Sequence, residues 1–160
     1  MTDEELKRWL VALLTWESAH VGFERAVSSL PADRVGARPQ GHAHSLWELV
    51  EHLRLAQRDI LEFSRTPGHV SPPWPDSYWP PSPEPPSPSA WQQSVDAFRA
   101  DLTEFCALLE SADSDPFAPF PWDPKKSLLR EALLLADHNA YHVGQIVAVR
   151  HALALWPPPR

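Results

Sequence analysis

Two histidines, His138 and His142, lie four residues apart in a long apolar run near the C-terminus of the chain. On an α-helix this spacing places both imidazoles on one face, one turn apart, where they can bind the same metal ion. Two ligands make a weak site, so a third ligand has to come from another element. The best candidate is His52, at the edge of the apolar face of an earlier predicted helix. The sequence therefore predicts a metal site that forms only if the fold brings His52 to this pair.

The chemistry of such a site follows from its ligands. Neutral imidazole is a common ligand of zinc, nickel, iron and copper. Three protein ligands with a fourth position left to water are typical of catalytic zinc, whereas structural zinc sites are usually closed by four. No fourth soft ligand is evident in the sequence, so the open position could take water, a thiolate or a carbonyl. A histidine pair at helical spacing also arises by chance, and on spacing alone that alternative stays open.

Other polar residues are candidates for supporting roles. Four side chains lie near one ligand along its helix and are expected to orient it, namely Glu48, Asp59, Asp137 and Gln145. His20 lies within an apolar stripe, so it is interpreted as a hydrogen-bonded core histidine, with a site-lining acid, base or fourth ligand as the alternative. His20 and Glu48 are therefore the candidates for assisting catalysis.

The remaining histidines and the cysteine carry weaker signals. His42 and His44 lie in a connector and are expected to be solvated, although His44 could reach over a site. His69 and His151 have no recognisable partner in the sequence. Cys106, beside the third apolar stripe, is interpreted as a partly buried bystander and not as a nucleophile.

Composition limits the classes of protein that the chain can represent. Its 160 residues predict one domain, residues 1–160, and a formal charge of −7 without a basic run argues against nucleic acid as a partner. One cysteine excludes an intrachain disulfide and is compatible with a reducing cytosol. The acidic N-terminus does not resemble a signal peptide, and no apolar run reaches the roughly 18 residues that a membrane span needs. We therefore expect a cytoplasmic protein that does not enter membranes.

Apolar residues at alternating steps of three and four predict four helices, at about 3–30, 45–64, 89–111 and 125–155. The first begins at a capping pattern of Thr2 and Glu5, and its stripe contains Trp9, Leu13 and Trp16. Similar capping patterns, Ser45 with Glu48 and Ser89 with Gln92, precede the second and third helices. No strand is predicted. Four helices with one apolar stripe each indicate an all-α four-helix bundle, in which binding sites are built from inward-facing side chains.

A proline-rich segment from about residue 64 to residue 88 separates the second and third helices. Proline removes backbone donors and opposes helix formation, so no regular element is expected here. A connection of this length is explained if the two helices run parallel, because the chain must travel back along one helix before the next begins. We expect the segment to cross the bundle, with its aromatic residues Trp74, Tyr78 and Trp79 packed against the helices. Its PxxP spacings also suit a docking motif, but a rigid connector is the favoured interpretation.

Two stretches together resemble the DinB/YfiT family of metal-binding four-helix bundles. They are residues 41–53, GHAHSLWELVEHL, and residues 138–146, HNAYHVGQI, in which the second histidine precedes a Gly-Gln pair as is typical of that family. The resemblance extends over nearly the whole chain, and it implies an up-down-down-up bundle with parallel second and third helices. It further implies a divalent metal, zinc or nickel, on His52, His138 and His142, and frequent homodimers. The proline- and tryptophan-rich connector departs from the commoner pattern.

The same resemblance implies thiol chemistry, because characterised members of that family use low-molecular-weight thiols, such as bacillithiol, mycothiol or glutathione, in transferase and isomerase reactions. The metal would hold such a thiol as a thiolate at neutral pH. The leading hypothesis is thus a divalent-metal-dependent thiol S-transferase or hydrolase acting on a small molecule, with metal-bound thiolate or water as the nucleophile. The alternative is a bundle that binds a metal or a small ligand without catalysing a reaction.

Overall fold

The computed structural model describes residues 2–15 and 19–159, and most of this part of the chain is helical. The helices are α1 (Asp3–Thr15), α2 (Phe23–Val27), α3 (Leu46–Arg65), α4 (Ala90–Glu110) and α5 (Leu128–Ala152). A short 3₁₀ turn spans Asp76–Tyr78, and two strands, β1 (Pro119–Phe120) and β2 (Asp123–Ser127), form a hairpin. The predicted all-α class is confirmed at the level of helical content. Within the described residues, every helix is too short or too polar to traverse a bilayer.

The first predicted helix, residues 3–30, is wrong in length, because the structure has α1 and α2 in its place. Gly22 is extended and forms the N-cap of α2, with ψ 170°. Glycine in a helix interior costs about 1 kcal/mol relative to alanine, and Val21 beside it adds a β-branched side chain. Periodicity alone did not weigh this local cost, so the prediction ran through the break.

The apolar face of α1 also differs from the prediction. Trp9 and Leu13 are 56% and 57% exposed, and Trp16 lies outside the described residues. Lys7 and Leu10 are buried instead. The Lys7 ammonium donates a hydrogen bond of 2.9 Å to the Ser111 carbonyl at the end of α4, which satisfies the charge while the aliphatic part of the side chain is buried. The buried face of α1 therefore includes a lysine, which the predicted apolar stripe did not contain.

The core has two apolar clusters along one three-helix frame of α3, α4 and α5. The first cluster is closed by α2, and its buried members include Ala26, Leu49, Phe98 and Val143. The second is closed by α1, and its buried members include Leu10, Leu61, Phe105 and Leu135. Along α5, His138 and His142 follow Leu135 of the second cluster, and Val143 of the first cluster comes directly after them. The histidine pair is thus held between two packed regions.

The N-terminal ends of α3 and α5 are set by local hydrogen bonds. Ser45 and Glu48 form a complete capping box, as predicted, with Glu48 N–H donating to Ser45 Oγ and Ser45 N–H to Glu48 Oε2. Ser127 caps α5 by accepting from Arg130 N–H. These caps fix where each helix starts, and hence the rotation at which His52 and His138 face each other.

The β1–β2 hairpin was not predicted. Pro119 and Phe120 pair antiparallel with Ser127 and Asp123, and the register is irregular between them. The second strand reads DPKKS, without the apolar alternation by which a strand is recognised in a sequence. Its last residue, Ser127, is also the cap of α5, so the hairpin determines that this helix begins at Leu128 and not at residue 125.

Near its C-terminal end, the proline-rich segment contacts the residues that precede α3. Ser45 Oγ donates to the Pro83 carbonyl at 2.6 Å, and Gly36 lies so close to Glu84 that an added Cβ would stand 2.6 Å from its Cγ. Tyr78 is buried, as expected. Trp74 was expected to pack down as well, but it is 66% exposed, because it lies in the turn before Asp76–Tyr78 and only its ring approaches Tyr78 and His52, at 5.1 and 6.1 Å.

Arg150 is fully buried near the C-terminal end of α5. Its guanidinium donates to the carbonyls of Ala26, Ser28 and Leu155, which ties α2 and the C-terminal residues to α5. Burial lowers the pKa of Arg150, but these acceptors satisfy its donors. One side chain thus replaces backbone hydrogen bonds that α2, only five residues long, cannot supply itself.

Replacing Arg150 should therefore destabilise the fold. Arg150→Met keeps much of the apolar volume but leaves the carbonyl groups that accept from the guanidinium without their donor, so the free energy of unfolding should fall by about 3 kcal/mol. Urea denaturation followed by circular dichroism measures it. Arg8→Met, at an exposed position of α1, is the control and should change stability by less than about 0.5 kcal/mol. Equal effects of the two substitutions would contradict this role of Arg150.

Candidate metal centre

His52 of α3 meets His138 and His142 of α5. Their ligand atoms all lie within 4.8 Å of one another. His52 Nε2 is 3.0 Å from His138 Nε2 and 3.1 Å from His142 Nε2. At the same level, Gln57 of α3 donates to the Phe98 carbonyl of α4 and accepts from Asn139 of α5. This polar link holds the three helices in the register that brings the imidazoles together.

The other ring nitrogens show which way the lone pairs point. His52 Nδ1 lies 2.9 Å from the Tyr78 carbonyl oxygen, and a carbonyl can only accept, so Nδ1 carries the proton. His142 Nδ1 lies 2.7 Å from Gln145 Oε1 and donates to it in the same way. Both rings then present an unprotonated Nε2 to the other, 3.1 Å away, with no hydrogen between them. Two converging lone pairs repel unless a cation lies between them.

This donor set fits a divalent metal ion. Tetrahedral zinc with bonds of about 2.0–2.1 Å to nitrogen places two ligand nitrogens roughly 3.3 Å apart, which is close to the Nε2 separations of 3.0 and 3.1 Å. Metal-bound histidines usually donate their second nitrogen to a carbonyl or carboxylate, and His52 and His142 have such partners. His138 Nδ1 is buried without a hydrogen-bond partner. The arrangement leaves Nε2 of each ring as the ligand atom.

The three imidazoles are neutral at physiological pH. Burial, followed by the neighbouring histidines, lowers the pKa of His138 and of His142 to about 4. Burial also lowers the pKa of His52. Protons compete with metal ions for imidazole nitrogen, so a depressed pKa keeps the ligand form available over the physiological range.

Aromatic rings surround the histidines. The Trp79 indole stacks on His52 with centroids 3.9 Å apart and planes within 1° of parallel. His44 stacks on the same indole at 3.9 Å. Tyr141 packs edge-on against His142 at 4.9 Å and is 63% exposed, and Trp74 lies 6.1 Å from His52. One face of the His52 ring is thus shielded, while exposed aromatic side chains flank two of the three histidines.

Two predicted supporting residues are not at this site. His20 was interpreted as a core histidine, with catalytic assistance as the alternative, but it is exposed between α1 and α2, and its Nδ1 contacts the Val21 carbonyl at 2.9 Å. The break after α1 turns it away from the predicted stripe. Glu48 accepts from Arg38 and from the Ser45 backbone. Burial alone would raise the pKa of Glu48, but these bonds outweigh it and hold the pKa below its usual range, so Glu48 is a charged helix cap.

Of the other residues singled out in the sequence, some lie where they were expected and others do not. Gln145 contacts His142 as expected, whereas Asp137 is exposed. His69 was expected to have no partner, but its Nε2 lies 2.6 Å from Asp59 Oδ1. Cys106 is buried, and burial raises the pKa of its thiol to about 11, which excludes an activated nucleophile at neutral pH.

One contributor to the site, the Tyr78 carbonyl, was missed in the sequence. Trp79 was expected to pack on the bundle and does so, but its stacking on His52 was not predicted. A carbonyl belongs to every residue, so its role carries no sequence signal. His44 was expected to be solvated, with a position over the site as the alternative, and it is half-buried against Trp79. A His–Trp stack between two separate loops has no fixed spacing, so only the unusual density of tryptophan near proline could have drawn attention to it.

The helical fold and the three convergent histidines define a helical protein with a candidate tris-histidine metal centre. The family model of the DinB superfamily matches residues 15–146, which include the whole site. The chain belongs to the DinB superfamily. Neither the curated proteins nor the solved structures include a significant match to it.

The depressed pKa values predict how the metal-free protein responds to acid. The pKa of His138 and of His142 is lowered to about 4 in the folded protein, whereas in the unfolded chain it returns to 6.5, the ordinary value of a histidine side chain. Unfolding therefore binds protons below about pH 6.5, so the free energy of unfolding should fall as the pH decreases from 6.5 towards 4. Urea denaturation in a chelating buffer across this range measures the slope.

The control for this prediction is the double variant His138→Gln, His142→Gln, which lacks both titrating groups but keeps polar side chains of similar size. Its stability should depend less steeply on pH in the same interval. Equal slopes in the two proteins would show that other groups cause the acid sensitivity.

Proposed function

We propose that this chain is a divalent-metal-binding protein in which His52, His138 and His142 hold one ion, zinc or nickel. The observation that carries the proposal is the convergence of Nε2 atoms on rings whose Nδ1 atoms already donate elsewhere, at His52 and His142. Superfamily membership over residues 15–146 adds independent support. The three residues come from two helices, which is how ligand sites in helical bundles are built.

The proposed scaffold is an up-down-down-up four-helix bundle formed by one domain, residues 1–160. Contacts between α3 and α4 support the parallel pair in this arrangement. Glu51 pairs with Ser94, Arg58 with Asp101 and Arg65 with Glu104, so the partners rise together along both helices. In contrast, Lys7 contacts Ser111 and Glu24 contacts Arg99, an order that supports opposite directions for the N-terminal helices and α4. The proline-rich crossover would then return the chain to the start of α4.

We further propose that the metal site is catalytic, as a thiol S-transferase or hydrolase acting on a small molecule. A divalent ion on three neutral imidazoles would acidify a thiol or water at its open position. Within the chain, the Tyr78 carbonyl and Gln145 orient two of the ligands. Trp79 excludes water from one face of His52, and the exposed rings of Trp74 and Tyr141 offer an apolar surface beside the site.

A second candidate function, binding without turnover, is supported by the state of the nearby carboxylates. Glu48 is committed to Arg38 and to the helix cap, and Asp59 to Tyr78 and His69. Neither is placed as a general base. The two functions differ in turnover: zinc- or nickel-loaded protein that converts an electrophile in the presence of bacillithiol, mycothiol or glutathione is an enzyme. We also propose a cytoplasmic homodimer, as the superfamily resemblance implies.

Removal of one ligand should abolish metal binding. His142→Ala leaves two imidazoles, so stoichiometric zinc uptake, one ion per chain in the wild type, should be lost. Isothermal titration with zinc, and elemental analysis of protein purified without added metal, measure the stoichiometry. The matched control is His151→Ala, which replaces an exposed histidine about two and a half turns further along α5 and should bind one ion as the wild type does. Wild-type metal content in His142→Ala would refute the proposed site.

A further inference from the structure

The proline-rich segment does more than connect α3 to α4, because it contacts the candidate metal centre through two adjacent residues. The Tyr78 carbonyl accepts the His52 Nδ1 proton at 2.9 Å, and the Trp79 ring stacks on the same imidazole at 3.9 Å. The hydrogen bond fixes the ring's rotation within its plane, and the stack fixes its tilt. A loop therefore sets the orientation of one ligand at two points.

That loop is itself held by a polar cluster about two helical turns along α3 from His52. Asp59 Oδ2 accepts from the Tyr78 hydroxyl at 2.8 Å, and Asp59 Oδ1 lies 2.6 Å from His69 Nε2. Tyr78 is 5% exposed, and burial together with the bond to Asp59 raises its pKa to about 12, so its hydroxyl remains a proton donor at neutral pH. Asp59 thus anchors both sides of the loop, at His69 and at Tyr78.

We propose that Asp59 is a positioning residue of the metal centre, acting through Tyr78 to keep His52 in the tautomer whose Nε2 lone pair faces His138 and His142. The inference rests on the proposed metal-binding function. It assigns a role to the proline-rich segment, which supplies the hydrogen-bond acceptor of one ligand from outside the helices. Tyr78 carries the effect because its side chain reaches Asp59 while its own carbonyl reaches His52.

The physical consequence of losing the anchor is a loss of preorganisation. If the Tyr78 carbonyl moves away, His52 can place its proton on either nitrogen, and the tautomer protonated at Nε2 cannot bind the ion. Partners that orient metal-ligating histidines typically contribute 10–100-fold in affinity. Because Asp59 acts one residue further out, we expect an effect near the lower limit, about tenfold.

The test compares Tyr78→Phe and Asp59→Ala with Asp101→Ala. Tyr78→Phe removes only the hydroxyl and keeps the ring and the carbonyl, while Asp59→Ala removes the acceptor. Asp101→Ala is the matched control, since it removes a buried carboxylate whose hydrogen-bonded partner among the described residues is Arg58 of α3 and not a residue of the loop. Zinc affinity by competition with a chromophoric chelator, ¹⁵N chemical shifts of the His52 ring in metal-free protein, and urea stability are measured for each.

Tyr78→Phe and Asp59→Ala should each weaken zinc binding about tenfold and raise the Nε2-protonated share of His52. Asp101→Ala should lower stability without changing either property. Wild-type affinity and an unchanged His52 tautomer in both site variants would overturn the proposal, as would a His52 that is protonated at Nε2 in the wild type. If Asp59→Ala does not fold, the milder Tyr78→Phe decides. If the wild type binds no zinc, the proposed function fails, and the ¹⁵N shifts still decide the positioning role.

Discussion

The structure depends most on the close approach of three imidazole Nε2 atoms, two of which, on His52 and His142, carry no proton. His52 and His142 each use Nδ1 as a donor, so their Nε2 atoms meet as two acceptors 3.1 Å apart. Burial opposes the protonation that would relieve this repulsion and lowers the pKa of each ring. A divalent cation resolves the conflict, because it accepts all three lone pairs at once. The electrostatics of the metal-free site thus favour the metal-bound state.

The rest of the fold holds these nitrogens in place. Two apolar clusters pack α5 against α3 and α4 on either side of the histidine pair, so the pair has little freedom to separate. The link from Phe98 through Gln57 to Asn139 fixes the relative height of the three helices. At one end of the helices, Arg150 of α5 donates to the Ala26 carbonyl and so holds α2 in place. At the other end, Lys7 of α1 donates to the Ser111 carbonyl that follows α4. Polar side chains thus fasten the short N-terminal elements to a frame built of apolar contacts.

The sequence predicted the elements that carry the ligands better than those that surround them. His52, His138 and His142 could be recognised because helical spacing and a capping box fix the direction of a side chain within a single helix. The buried face of α1 could not be recognised, since a buried lysine and two exposed apolar residues, Trp9 and Leu13, reverse the usual pattern. The acceptor on His52 was missed because it is a backbone group on a segment without periodicity, placed by the tertiary fold.

The most direct test of the central claim is the anomalous diffraction of a zinc-soaked crystal, recorded on both sides of the zinc absorption edge. The account predicts one strong anomalous peak per chain, about 2.0–2.1 Å from Nε2 of His52, His138 and His142. A peak that is absent, or that is bound through Nδ1 or at other side chains, would contradict the account.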